Sequence, residues 1–493
     1  MRHNKPVEGP VGGSWCKAGR RPLSCLLLLC FVRGPVDAKN VVLFVTDDHS
    51  LDAGCYGNPV IQTPHLDKLA ADATRMTQAF CTTASCSASR SVILSGLFNH
   101  RTAQYGHAHT YHHFRTYDRI KTLPIRLREL GYRTARIGKF HVAPEAVYPF
   151  DTVPGEEGTI PVPRSARSPV EMAEACREFV ASREKPFFLY FCTSDPHRGG
   201  GVAKELPHGP DRFGNKPAGK SYPGVKPVLY SPDKVLVPSF LPDTPACRAE
   251  LAQYYQSVSR VDQGLGRLID VLKEAGRWDD TMFIFISDHG IAMPGAKTTL
   301  YDPGMRSPCI VRNPRLTERG IVSDAMVSWV DVAPTILDFA GATPASLKDL
   351  DGRSFLGVLA TPSTANWDEV FASHTFHEIT MYYPMRVVRG RRYKLIWNIA
   401  HGLPYPFASD LWAAPTWQTT YKHGPDALFG KRTVRNYIHR ARFELYDLEK
   451  DPDEVTNLAE KPEFAAVLDD LKKRLRAFQE RTKDPWVRKW RYE

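Results

Sequence analysis

Four short, mostly apolar runs punctuate the chain: VVLFV (Val41–Val45), TARIG (Thr134–Gly138), FFLYF (Phe187–Phe191) and MFIFI (Met282–Ile286). They are rich in β-branched and aromatic residues and lack a polar face, as expected of strands covered on both sides. Between them, apolar residues recur at helical spacing over Leu66–Ala73, Leu123–Leu130, Val170–Ser182 and Leu251–Ala275. Strands alternating with helices predict an α/β fold built on a mostly parallel sheet with helices on both faces. A further helix is predicted from the apolar run Val92 to Leu97, entered through small hydroxyl residues. Toward the C-terminus the pattern changes. Met385–Trp397 reads as a hairpin turning at Arg389-Gly390-Arg391, and Phe464, Val467, Leu468, Leu471, Leu475 and Phe478 form the packing stripe of a helix.

The residues that follow each strand matter more than the strands. VVLFV runs into Asp47-Asp48, TARIG into Lys139-Phe140-His141, FFLYF into Asp195-Pro196-His197, and MFIFI into Asp288-His289-Gly290. In an open α/β sheet, ligands bind outside the carboxyl ends of the strands. One carboxylate after a strand is usually the N-cap of the next helix, but four strand ends in one chain that carry carboxylate, ammonium or imidazole groups predict a site. Carboxylates suit a hard divalent cation, and lysines beside them suit a tetrahedral oxyanion. Cys86-Ser87-Ala88-Ser89-Arg90 stands at the start of the helix predicted to contain Val92–Leu97. There free N–H groups favour an anion and lower a thiol pKa. A disulfide, a metal thiolate, a nucleophile and a plain buried cysteine all suit that position. With its neighbours, Cys86 reads as a nucleophile near a metal, with Arg90 one turn on.

Composition sets the class. At 493 residues, 42% hydrophobic and 24% charged, the chain is globular and long enough for more than one domain. Arg20 and Arg21 precede an apolar run from Leu23 to Val32, and Val36-Asp37-Ala38 offers a cleavage site, so residues 1–38 read as an export leader. No later stretch is long enough to cross a membrane, which predicts no stable membrane insertion. Six Lys/Arg and two Asp/Glu of that leader carry part of the formal charge of +11 and leave +7 beyond it. The basic residues are dispersed among acidic ones without zinc-finger or RNA-binding spacing, which argues against a nucleic-acid partner. Seven of ten cysteines lie beyond the leader, an odd number with no CxxC pair, so this is no disulfide scaffold. No asparagine begins an Asn-x-Ser/Thr acceptor. Export without such sites points to a bacterial periplasm or exterior rather than a lysosome.

The motif Cys86-Ser87-Ala88-Ser89-Arg90, continued by Leu94-Ser95-Gly96, resembles the signature of the type I sulfatases, Cys-x-Pro/Ala-Ser-Arg. Asp47-Asp48, Gly138-Lys139-x-His141 and Ser287-Asp288-His289-Gly290 match the family's other active-site blocks in order. Blocks similar to the sulfamidase branch run from about Asn40 to Trp486, among them SDPHR (Ser194–Arg198), VDQGLG (Val261–Gly266) and HEITMYYPMR (His377–Arg386). The resemblance implies an alkaline-phosphatase-like fold, with a catalytic α/β domain over residues 39–365 and a smaller C-terminal α+β domain with an antiparallel sheet over 366–493. It implies conversion of Cys86 to formylglycine by a maturase, and one calcium ion, with magnesium the second choice. Asp47, Asp48, Asp288, His289 and an oxygen of modified Cys86 would hold that ion. It implies that Lys139 and Lys297 neutralise the sulfuryl oxygens, that His197 protonates the leaving group, that His141 acts as base, and that Arg90 holds the modified side chain. Asp195, His377 and Glu378 are the candidate sugar contacts. The run Gly199–Gly201 departs from the branch at the rim of the pocket. The substrate expected is a sulfated amino-sugar, such as N-sulfated glucosamine of heparin or heparan sulfate. An O-sulfatase, a phosphodiester or phosphonate hydrolase and a silent glycan-binding protein stay open as alternatives, and so does a homodimer.

Overall fold

The computed structural model describes residues 40–155, 166–199 and 211–492; the leader predicted over residues 1–38 lies outside them. Seven strands, β1 (Asn40–Thr46), β2 (Thr74–Phe80), β3 (Arg133–Gly138), β4 (Phe187–Cys192), β5 (Thr281–Ser287), β6 (Cys309–Arg312) and β7 (Ile321–Ser328), form the central sheet in the order β3-β4-β1-β5-β6-β2-β7. All are parallel except β6, which runs antiparallel to both its neighbours. The four strands predicted from sequence are the contiguous block β3-β4-β1-β5, in register from Arg133↔Phe187 and Val41↔Phe188 to Val41↔Met282.

The doubly apolar runs follow from burial on both sides. In β1, Val41, Leu43 and Val45 join one core while Val42 and Phe44 join the other; β4 and β5 divide the same way. On the first face pack Ile93 and Leu94 of the helix Cys86–Ser95, Leu123 and Leu127 of the helix Leu123–Glu129, and Ile336 and Leu337. On the second pack Leu66 and Leu69 of the helix Pro64–Ala71 and Leu265, Leu268 and Leu272 of a 30-residue helix, Pro245–Glu274. That long helix begins at an N-cap, Thr244, whose side chain accepts from Cys247 N, followed by proline at its first position.

The motif VDQGLG on this helix is a packing device. Asp262 accepts from the backbone of His65 (3.2 Å) and Leu66 (2.7 Å), fixing the start of the helix Pro64–Ala71. A Cβ on Gly264 would lie 2.2 Å from Pro169 Cβ, so its absence lets the helix Pro169–Ala175 close onto the long helix. The helix predicted over Val170–Ser182 is broken at Cys176 into Pro169–Ala175 and Arg177–Ala181.

The predicted hairpin is present as Met385–Gly390 and Tyr393–Asn398, two strands of an antiparallel four-stranded sheet completed by Glu369–His374 and Phe443–Asp447. Leu468, Leu471, Leu475 and Phe478 of the helix Ala465–Arg481 pack beneath it against Leu395, Trp397 and Leu445. A buried charge cluster ties this sheet to the short helix Asp302–Met305 that follows β5. Lys394 Nζ lies 2.8 Å from Asp302 Oδ1 and 2.6 Å from Glu454 Oε1, and Arg389 Nη2 donates to Asp302 Oδ2 at 3.0 Å. No helix among the described residues is long and apolar enough to cross a membrane. All seven described cysteines are free thiols.

Candidate active site

Five parallel strands end around one point. β1 delivers Asp47 and Asp48, β3 Lys139 and His141, β4 Asp195 and His197, and β5 Asp288 and His289. β2 leads through Cys81–Ser85 into the helix that begins at Cys86. This strand was not apparent from the sequence, because Thr74–Phe80 (TRMTQAF) mixes polar and apolar positions with a register shift between Met76 and Gln78. Gly138 closes β3 with φ +83°, and a Cβ there would meet Cys192 O at 1.9 Å, so only glycine lets the chain pass β4 and present Lys139.

The carboxylates are locked by one another and by cations. Asp48 sits at φ +61° and is held there by its own N–H donating to Asp288 Oδ1 (3.0 Å). Arg90, fully buried, donates Nε to Asp288 Oδ2 (3.1 Å), Nη2 to Asp47 Oδ1 (3.2 Å) and Nη1 to Lys139 O (3.1 Å). It therefore ties the two carboxylates together at the base of the helix that begins at Cys86. Lys139 Nζ donates to Asp47 Oδ2. Lys297 Nζ lies 3.0 Å from Asp48 Oδ2, 3.2 Å from His197 Nε2 and 3.2 Å from Asp410 Oδ2. Burial opposes the Lys297 charge, but Asp410 and Asp48 hold its pKa well above the usual lysine value. Although burial opposes the Asp47 charge, Lys139, His197 and Arg90 draw its carboxyl well below the usual range. Burial and the Asp47 charge push Asp288 up to about 6.

Cys86 Sγ lies 3.4 Å from His289 Nε2 and 3.8 Å from Asp48 Oδ1. Its thiol is pushed well above the ordinary value by burial, against the pull of Lys139 and Lys297. The helix N-terminus was expected to lower that pKa; complete desolvation outweighs it. Metal-ligand geometry is available around Cys86. The donor atoms of Asp48, Cys86 and His289 lie within 4.8 Å of one another, and so do those of Asp47, Cys86 and Asp288. His289 Nδ1 faces Gly290 O at 3.0 Å, which leaves the Nε2 lone pair toward the site. Three hard carboxylates with one imidazole fit a divalent cation of the oxygen-seeking kind.

The other expected residues are placed less uniformly. His197 reaches the site beside Lys297, and burial, with Lys297 and Lys139, holds it neutral, well below 6.5. His141 stands beyond Lys139 with both ring nitrogens buried and without a hydrogen-bond partner. Asp195 was expected at the sugar. Instead it is fully buried, gripped by Arg260 Nε (2.6 Å) and Nη2 (2.9 Å) and by Arg167 Nη1, and it faces no open surface. Its backbone O accepts from Asp47 N (3.1 Å), so it supports the carboxylate loop. His377 is 1% exposed and its Nδ1 lies 2.9 Å from Ser85 Oγ, next to Cys86; it steadies the helix entrance and offers no free face to a sugar. Glu378 is half-buried at the rim, where Oε1 accepts from Ser409 N (2.9 Å) and Oγ (2.7 Å). Gly200 and Gly201 lie outside the described residues. Asp410, which no motif marks, enters only because the segment Ser409–Trp412 folds against Lys297.

Comparison with known proteins agrees with this geometry. The family model described as Sulfatase matches residues 39–342, and the one described as N-sulphoglucosamine sulphohydrolase, C-terminal, matches residues 295–404. N-sulphoglucosamine sulphohydrolase of Homo sapiens is 40% identical over 480 residues, covering 94% of this chain and 95% of that one. An ulvan-active sulfatase of Formosa agariphila is 28% identical over 448 residues, covering 88% and 78%. Among solved structures, one in complex with its substrate D-glucosamine-2-N,6-O-disulfate superposes with a TM-score of 0.64 at 22% identity, over 91% of this chain and 99% of that one. The phosphonate monoester hydrolase of Agrobacterium radiobacter superposes with a TM-score of 0.63 at 19% identity, over 90% and 96%. These structural likenesses fix the fold as alkaline-phosphatase-like. With five strand ends converging on a buried signature cysteine, and similarity of this extent, the chain belongs to the sulfatase family and is a sulfatase.

Proposed function

We propose that this sulfatase removes the N-sulfate from glucosamine units of heparin- or heparan-sulfate-type chains, acting outside the cytoplasm, in a bacterial periplasm or beyond it. The observation that carries this reading is the 40% identity to human N-sulphoglucosamine sulphohydrolase across 94% of the chain. It is supported by the match over residues 295–404, a stretch that includes Lys297, His377 and Glu378. Cys86, oxidised to formylglycine by a maturase, provides the attacking hydroxyl. Asp47, Asp48, Asp288 and His289 would hold one calcium ion beside it, and its charge would lower the pKa of that hydroxyl.

The remaining work falls to side chains in place. Lys139 and Lys297, each anchored on a carboxylate, offer ammonium charge to the sulfuryl oxygens as negative charge builds. Arg90 keeps Asp47 and Asp288 from drifting apart as charge is redistributed. His197 gives the departing nitrogen its proton. His141, neutral because of burial and the adjacent Lys139, takes a proton from the modified Cys86 side chain as sulfate leaves. Glu378, at the rim, is the residue proposed to meet the sugar.

The test is sulfate release from N-sulfoglucosamine against glucosamine 6-O-sulfate, with enzyme co-expressed with a maturase and Cys86→Ala as control. Mass spectrometry of the tryptic peptide Met76–Arg90 reports conversion of Cys86. Cys86-dependent release confined to the N-sulfated sugar is expected. Release from the 6-O-sulfate alone would overturn the substrate assignment while leaving the sulfatase chemistry intact.

A further inference from the structure

Beside the carboxylate centre lies a second set of convergent donors that the reaction above does not use as a set. The loop after the short helix Asn99–Thr102 passes back over the helix Cys86–Ser95, held by Ala108 N donating to Ser87 Oγ (3.1 Å), His107 N to His377 O (2.8 Å) and Ile379 N to His112 Nδ1 (3.1 Å). It brings His107 and His109 against His141. The three rings are nearly equidistant: centroids are 4.9 Å apart for His107–His141, 4.6 Å for His109–His141 and 4.8 Å for His107–His109. One ring nitrogen from each lies within 4.8 Å of the others.

Two of the three rings lack the partners that buried imidazoles normally have; the exposed His109 has Thr110 Oγ1 3.4 Å from its Nδ1. Both nitrogens of His141 and Nδ1 of His107 are buried with no hydrogen-bond partner among the described residues, and His107 is only 7% exposed. Buried polar atoms are otherwise satisfied almost throughout a folded protein. No carboxylate is grouped with the three rings, whereas the neighbouring centre is dominated by oxygen. Neutral imidazole is the commonest ligand for borderline-soft transition metals, and three protein nitrogens with an open fourth position are a usual zinc arrangement. Three imidazoles bound at about 2.0–2.1 Å around a tetrahedral zinc have centroids about 5 Å apart, close to the spacing already present.

We propose that His107, His109 and His141 form a binding site for a transition-metal dication of the zinc type, separate from the carboxylate centre, and that its occupancy reversibly inhibits the enzyme by engaging the His141 lone pair. The binding half stands on the geometry alone; the inhibitory half rests on the assignment of His141 as the base. Softness separates the two sites, since an oxygen-seeking cation such as calcium gains little from three nitrogens. Zinc on the histidines is therefore expected to persist when calcium is saturating.

The experiment is calorimetric titration of Zn2+ into the mature enzyme at saturating Ca2+, for wild type and His109→Ala. His109 is exposed, so its truncation spares the core. Expected is one zinc per chain in wild type, weakened at least tenfold in His109→Ala. Cobalt in place of zinc should show the visible absorption of a tetrahedral nitrogen site in wild type only. Sulfate release, taken relative to each protein's own zinc-free rate, should be inhibited at least tenfold less sensitively in the variant. Equal zinc binding by both proteins would overturn the site. Binding that His109→Ala abolishes, without any inhibition of wild type, would overturn the regulatory half. The titration reads binding whatever sugar the enzyme cleaves, so failure of the substrate assignment leaves it unaffected.

Discussion

Asp195 and His197, two residues apart after the same strand, show how a single position is decided. Asp195 is closed off by Arg260 and Arg167, so its carboxylate neutralises buried guanidinium groups rather than a ligand. Asp195→Asn should cost about 3–5 kcal/mol of stability, because breaking a buried pair strands the remaining charge. Denaturant unfolding measures that loss, and the KM of the folded protein should move little; a large KM rise with unchanged stability would restore Asp195 to the substrate. His197, by contrast, opens on the site. Its replacement by Gln should lower turnover of an N-sulfated sugar about 10²–10⁴-fold, and that of an aryl sulfate with a good leaving group far less. In the proposed role the acid form of His197 is the one required, and burial and the nearby lysines depress its pKa below 6.5. Its protonated fraction therefore falls as pH rises through that depressed value. In the pH profile of kcat/KM, the descending limb should begin on the acid side of 6.5 and disappear in the Gln variant.

At the scale of elements, strand ends and helix contacts carry the site. β1, β3, β4 and β5 were readable because each is buried on both faces and written in an unbroken apolar run. β2 was not, although it leads to the signature Cys86, because its exposure alternates and its register shifts. The long helix Pro245–Glu274 approaches its neighbours most closely at glycines, Gly264 against Pro169 and Gly266 against His65. Gly264→Ala makes the point testable. Alanine favours an isolated helix by about 1 kcal/mol, yet here the added methyl would overlap Pro169. A net loss of about 1–3 kcal/mol is expected in thermal or denaturant unfolding; a gain would show that the helix pair can part at no cost.

For the whole molecule, burying so many imidazoles sets the pH range of stability. His49 and His100 are held neutral down to about 4, and His374 down to about 3, each chiefly by desolvation. Their folded pKa lies below the unfolded value of 6.5, so unfolding takes up protons and stability falls as pH drops below 6.5. Each group contributes on the order of 3–4 kcal/mol by the time its folded pKa is reached. The melting temperature should therefore fall steadily between pH 6.5 and 4, and a flat profile over that window would refute the assignment of these histidines as buried and neutral.

The order of apolar runs was enough for the fold class and the four strand ends, and the signature around Cys86 for the family, because both are local patterns of a few residues. Which charges remain available for a ligand was decided only in three dimensions. The pairing of Asp195 with Arg260 spans 65 positions and that of Lys297 with Asp410 spans 113. The three-histidine cluster likewise joins a loop after one helix to the end of a distant strand. No spacing rule encodes such meetings. They follow from how the sheet order stacks segments that are far apart in the chain, and from the dielectric that burial then imposes on them.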